Sequence, residues 1–340
     1  PPHASSPAPP APARRPPPPG EPVGVGCLTH AKVEAMLEQL RISAAPHADP
    51  REVRLVEAQC HKRSYVIGDA RFILWEIGGG EYLRGKGTSA VAPVPSEACI
   101  ERALAQAVEL VPFAERIMKR EAAQDPELWR DPDVGMVSFL DCKADRPAFE
   151  SIATMLHETN HRIGRGACIF ELATGRDLCF ELDAALPPGK IAAFPEAPAA
   201  LDPTAAGVFL RLQNLYLERN AQGILELLDE VTAYRVEAEM YAVGITRKLY
   251  PKPGTTTYLN LPAMMALATR YLDELARRDP ALAAKEFGPR GRNREALMMV
   301  LDQAEASYRT WLAAAKRPGV YERTFWDEYQ RTRKRWLARE

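Results

Sequence analysis

The chain has 340 residues, 46% of them hydrophobic and 26% charged, with a formal net charge of -1. That length and apolar content suffice to bury a sizeable core. The mixed charge offers no basic stripe for nucleic acid and no acidic tail, and no uninterrupted apolar run is long enough to span a bilayer.

Eleven of the first 22 residues are proline, interspersed with Ala, Ser and Arg. Such a composition buries no core, so residues 1–24 are expected to be a disordered, Pro-rich tail. "THAKVEAMLEQLR", residues 29–41, predicts a short amphipathic helix with Thr29 as its cap. "VRLVEA", "SYVIG", "RFILWEI" and "EYLRGKG" predict a small antiparallel sheet within residues 52–90. A long helix follows over 97–122 and a strand over 134–140. Asp145-Arg146-Pro147 predicts a helix start, and Gly164 or Gly166 its stop. "CIFEL" and "LCFEL" flank "ATGRD" and predict a hairpin. Residues 184–204, rich in Pro and Ala, read as a loop. From 205 onward the pattern is helical, broken at Pro251–Gly254, around Pro280, at Gly288–Gly291 and at Pro318-Gly319. The class expected is α+β: a small, mainly antiparallel sheet in the N-terminal half with the 145–164 helix, then a mostly helical C-terminal half. Beyond the tail, the expected division is residues 25–183 and 184–340.

The six cysteines are Cys27, Cys60, Cys99, Cys142, Cys168 and Cys179. None forms a CxxC pair, which argues against a cysteine-only zinc knuckle. Their even number and the Pro-rich tail favour an exported protein (periplasmic, envelope-bound or secreted) over six reduced thiols in a cytosolic one. Within the hairpin, a four-residue loop at 172–175 sets Cys168 opposite Cys179 and allows a bridge. A two-residue Thr174-Gly175 loop sets Cys168 opposite Glu181 and forbids it.

The 145–164 helix contains "HETNH". Residues four apart on a helix lie about 40° from each other, so His157 and His161 project from consecutive turns of one face and can reach one metal ion. Glu158 lies about 100° from His157, poorly placed as a ligand but well placed to hold a water beside the metal. The helix's apolar stripe is Phe149, Ile152, Leu156 and Ile163. Both histidines lie roughly 100° or more from its centre, which argues against a core role.

Catalytic zinc takes three protein ligands and keeps one position open. No histidine follows His161, and Ala167 stands where a His-ended motif would place its third ligand, so a carboxylate is required. The best source is "LLDEVTAYRVEAEMY", residues 227–241. On its wheel Glu230 and Glu237 lie at the border of the face marked by Leu227, Val231, Ala238 and Ala242. Glu226, Asp229 and Glu239 lie further toward solvent. Through HETNH and DEVTAY, about 50 residues in two helices, the chain resembles the HExxH zincin metallopeptidases with a glutamate third ligand, the gluzincins. The resemblance implies Glu230 as third ligand, with Glu237 available to accept from a ligand histidine.

These residues suggest a zinc-dependent peptidase acting on a peptide or protein substrate. Zn2+ would be held by His157, His161 and Glu230, with Glu158 as general base. Tyr234 and Tyr241, near the Glu230 face, are candidate donors to the oxyanion or simple core aromatics. Two other readings are a non-catalytic, zinc-stabilised envelope scaffold and a secreted effector protease. A structural zinc site has no use for a carboxylate like Glu158, which favours an enzyme.

Overall fold

The computed structural model describes residues 95–126, 129–132, 135–143, 146–164, 167–219, 223–249 and 258–339, and the backbone of four strands between residues 54 and 86. The expected tail, the 29–41 helix and the break at Pro251–Gly254 lie outside these residues. The chain divides into two compact units, Pro1–Ala92 and Pro93–Glu340. In the first, β1 (Arg54–Ala58), β2 (Lys62–Ile67), β3 (Ala70–Ile77) and β4 (Gly80–Lys86) form an antiparallel sheet in the order β1-β2-β3-β4. Its register runs through Leu55↔Tyr65, Tyr65↔Phe72 and Leu74↔Leu83, with an irregularity between Leu55 and Glu57. Sequential antiparallel pairing follows from short connections, which cannot cross over the sheet.

The second unit opens with α1 (Glu97–Leu110), whose N-cap Ser96 accepts from the Cys99 amide. The single helix expected over 97–122 is two helices. Val111 is extended because Pro112 follows it, and α2 (Ala114–Gln124) begins after the break. The strand expected at 134–140 is instead a 3-10 turn, Met136–Phe139, with Met136 and Val137 buried. A short apolar run satisfies either conformation, and periodicity does not separate them. The helix start read at residues 145–147 is also corrected: Arg146–Pro147 is β6, paired with β5 (Cys142–Lys143), and α3 runs Phe149–Ile163. Proline is compatible with so short a strand, and the chain turns helical only beyond the extended Ala148.

Beyond Gly164, β7 (Cys168–Phe170) and β8 (Asp177–Cys179) form the hairpin. Cys168 faces Cys179, and the Glu171 amide donates to the Arg176 carbonyl, so the loop is 172–175, with Gly175 at φ 74°. The 184–204 stretch holds a 3-10 turn, Gly189–Ala192. The helical half then starts at α4 (Pro203–Gln213), capped by Asp202, and continues into a π-helical segment, Asn214–Arg219. There follow α5 (Ile224–Thr246), α6 (Leu261–Arg278), α7 (Pro280–Phe287), α8 (Arg294–Ala315) and α9 (Val320–Leu337).

Helix α5 is the axis of this unit. It is buried on nearly every side and packs against α3, α6 and α8, while α6 packs on α9. Gly244 permits the close approach of α5 to α3: a Cβ there would lie 2.5 Å from Cζ of Phe149. Disulfides join Cys99 to Cys142 and Cys168 to Cys179. Cys27 and Cys60 lie outside the described residues. Among those residues, no helix is long and apolar enough to cross a membrane.

Candidate metal centre

Helices α3 and α5 run antiparallel: Phe149 meets Gly244, and His161 meets Asp229. The C-terminal turn of α3 is anchored to α2. The Gln124 amide donates to the Ile163 carbonyl, and Arg162 pairs with Asp125 at 2.8 Å and Glu121 at 3.1 Å. This anchoring fixes the turn that carries His161. Glu121 is almost fully buried. Burial, with Asp125 adding to it and Arg162 opposing, pushes its carboxyl up to about 7.

His157, His161 and Glu230 converge between the two helices, with their donor atoms all within 4.8 Å of one another. The two Nε2 atoms are 3.1 Å apart, Nε2 of His161 is 3.3 Å from Glu230 Oε1, and Nε2 of His157 is 3.8 Å from Glu230 Oε2. Ligands at about 2.0–2.1 Å from a tetrahedral zinc stand about 3.3 Å from one another, so one small cation fits among these three. Two facing ring nitrogens must share a proton or a cation, and the buried Oε2 of Glu230 has no hydrogen-bond partner. Both features suit a site built to hold a cation.

Each histidine also meets a second carboxylate. Nδ1 of His161 is 2.7 Å from Oδ2 of Asp229. Nδ1 of His157 is 3.1 Å from Oε1 of Glu237, close but poorly aligned for a hydrogen bond. A carboxylate on Nδ1 keeps the proton there and leaves Nε2 to face a metal. Burial opposes charging the His161 ring, but hydrogen bonds to Asp229 and Glu230 and their negative charges outweigh it, and its pKa stands well above the ordinary value.

Glu158 is half-buried, directly after His157 on α3. Tyr234 packs its ring edge-to-face on His157, with centroids 4.5 Å apart. Tyr241 lies two turns further along α5, with its ring 6.1 Å from that of Phe149. Of the residues singled out in the sequence, the fold thus gathers His157, His161, Glu230, Glu237 and Tyr234, while Tyr241 sits at the far end of the helix pair.

Sequence reasoning passed over Asp229 and Tyr216. Asp229 was assigned to the solvent side because the wheel was centred on the face of Leu227 and Val231. Helix α5 is buried on nearly every side, and the side toward α3 carries Asp229, Glu230 and Glu237. Tyr216 comes from the π-helical segment, which sequence periodicity does not reveal; such segments recur at functional sites. Burial, the Glu230 charge and contact with Tyr234 all raise the Tyr216 pKa. Burial and the charges of Glu237 and Glu230 raise that of Tyr234, against hydrogen bonds from Tyr216 and Asn260. Both phenols therefore keep their protons and serve only as neutral hydrogen-bonding groups.

In comparisons with known proteins, no family model, curated protein or solved structure matches the chain.

Proposed function

We propose that the protein is a zinc-dependent metallopeptidase, with His157, His161 and Glu230 as ligands and Glu158 as general base. The observation that carries this reading is the convergence of three donor atoms at 3.1–3.8 Å, with a half-buried carboxylate one residue from the first ligand. The resemblance of HETNH and DEVTAY to the gluzincins supports it independently. Two histidines and one carboxylate also suit zinc as a donor set.

A zinc ion bound there would acidify a water and polarise a peptide carbonyl. The chain's own residues do the rest. Asp229 orients the His161 imidazole through Nδ1, and Glu237 lies beside Nδ1 of His157. Glu158 takes the proton of the attacking water and delivers it to the departing amine. Tyr216 and Tyr234, held in their neutral forms, are hydroxyl donors beside the ligands. The side chains of His161 and Asp229 retain 21% and 29% exposure, against 6% for His157, so substrate enters from the His161 side. Two disulfides support export to an oxidising compartment.

The test is a paired measurement of zinc content and peptide hydrolysis. Glu158→Gln is expected to keep zinc and lose hydrolysis. His157→Ala and His161→Ala are expected to lose both. A Glu158→Gln protein that cleaves peptides at the wild-type rate contradicts the mechanism.

A further inference from the structure

A second feature, independent of the metal centre, lies where α6 and α9 end. The two helices run parallel. The Leu259 amide, just before α6, donates to Glu322 at the start of α9. Further along, the Thr269 and Thr332 hydroxyls bond at 2.6 Å, and Asp273 meets Arg335 at 2.9 Å. The two C-terminal turns therefore finish side by side.

Three carboxylates at this end are each shared by two arginines. Glu274 pairs with Arg277 and Arg278, both at 2.6 Å. Asp273 pairs with Arg335 at 2.9 Å and Arg339 at 3.2 Å. Glu328 pairs with Arg331 and lies 3.8 Å from Arg270. One more acid, Asp279, caps α7, and Lys334 adds an exposed cation. Seven cationic side chains thus meet four carboxylates. The crowding registers at Arg270: burial lowers its pKa, Glu274 opposes, and the Arg335 and Arg331 charges lower it further. The C-terminal ends of two helices carry about half a negative charge each, which offsets about one of the excess cations and leaves about two. Asp273 and Glu328 are buried, while the side chains of Arg277 and Arg331 are 58% and 62% exposed, so the excess faces water.

The outer face of α9 continues this surface. On the helix, Lys334 lies about 40° from Val320 and about 60° from Leu337, with Arg323, Asp327 and Arg331 in the same stripe. All six are exposed, Val320 at 47% and Leu337 at 36%. Two aliphatic side chains set among cations, with Asp327 the only carboxylate of the stripe, suit a partner that is anionic at its surface and apolar just beneath. A bilayer of anionic phospholipid is such a partner. Nucleic acid is also anionic, but it gains nothing from exposed aliphatic groups and stacks its bases on aromatic ones. The aromatic side chain nearest this end of α9, Trp336, is buried.

We propose that the α6–α9 end is a docking surface for anionic phospholipid headgroups in a bilayer, with Val320 and Leu337 reaching toward the acyl boundary. Each cation held near such a surface strengthens attachment by about fivefold. The attachment is reversible and weakens with salt, because these charges are open to solvent.

The test is co-sedimentation of the full chain with vesicles of phosphatidylcholine alone, or of equal parts phosphatidylcholine and phosphatidylglycerol. Binding to the mixed vesicles is expected to be about tenfold tighter or better, and to fall at high salt. Arg277→Gln with Lys334→Gln leaves Glu274 paired with Arg278, and is expected to bind about 25-fold more weakly. Lys119→Gln with Arg176→Gln removes the same charge from exposed positions on α2 and the hairpin loop, and is expected to bind like the wild type. Leu337→Ser is expected to weaken binding to the mixed vesicles severalfold. Equal losses in the two double variants would mean attraction by net charge alone and overturn the proposal. So would no binding to the mixed vesicles, unchanged binding of Leu337→Ser, or tighter binding of the wild type to a DNA oligonucleotide or polyglutamate than to vesicles.

Discussion

At the scale of single residues, the account turns on which carboxylate does what. Asp229, Glu230 and Glu237 lie against the two histidines, Glu158 follows His157 in the chain, and the proposed function gives each a separable role. Glu230→Ala removes the proposed third ligand, and its expected effect is a loss of zinc binding beyond that of Glu237→Ala. Zinc held as tightly by Glu230→Ala as by wild type, but released by Glu237→Ala, would move the ligand two turns along α5. Asp229→Asn keeps the shape of the contact to His161 but weakens it. Outer carboxylates of this kind are worth about 10–100-fold in metal affinity. Competition with a fluorescent zinc chelator measures that loss, and an unchanged affinity would show that the 2.7 Å contact does not tune the ligand. HETNH was legible because its spacing maps directly onto helix geometry. Asp229 was not legible: with no knowledge of which face of α5 meets α3, a wheel ranks it as solvent-exposed.

At the scale of elements, the site depends on how closely α3 and α5 approach and on what clamps their neighbours. The approach is set by Gly244 against Phe149. Gly244→Ala is expected to destabilise the protein by about 1–3 kcal/mol through overpacking. The cost should be smaller in a Phe149→Leu background, and denaturation of all four members of the cycle measures the coupling. Equal costs in both backgrounds would dissociate the glycine from the ring. The hairpin is clamped by Cys168–Cys179, with a sequence separation of 11. Its position holds Arg116 against the Leu172 and Ala173 carbonyls and Asp177 against Arg120, so it fastens onto α2. Replacing both cysteines by serine is expected to cost about 3 kcal/mol by loop entropy, read as a lower Tm. The hairpin was foreseeable from its flanking apolar segments and turn residues, but its register was not, because the same residues allow a four-residue or a two-residue loop. The break at Val111 was announced by Pro112, yet the apolar periodicity on both sides of it reads as one helix. The 3-10 turn at Met136–Phe139 was not foreseeable, because so short and largely apolar a run fits a strand equally well.

For the whole molecule, the broad division into a small antiparallel sheet and a helical body follows from hydrophobic periods of two and then 3.6. Which helices meet is a tertiary property that no single segment encodes. The buried charge at the α2–α3 junction gives the fold a pH dependence of known sign. Glu121 is held near 7 in the folded chain, against 4.5 for an ordinary glutamate. The folded state therefore binds the proton more tightly, and the stability this gives is complete below about 4.5 and is lost as pH rises through about 7. Comparing Glu121→Gln with wild type across that window should show the wild type losing ground as pH rises, by up to about 3 kcal/mol. A parallel pair of stability curves would contradict the assignment.

The central claim is that one zinc ion sits among His157, His161 and Glu230. The most direct measurement is anomalous diffraction at the zinc edge, from crystals of protein purified without added metal. The account predicts one peak per chain, about 2.0–2.1 Å from Nε2 of each histidine and from the Glu230 carboxylate. No peak there, or a peak held by other residues, would contradict it.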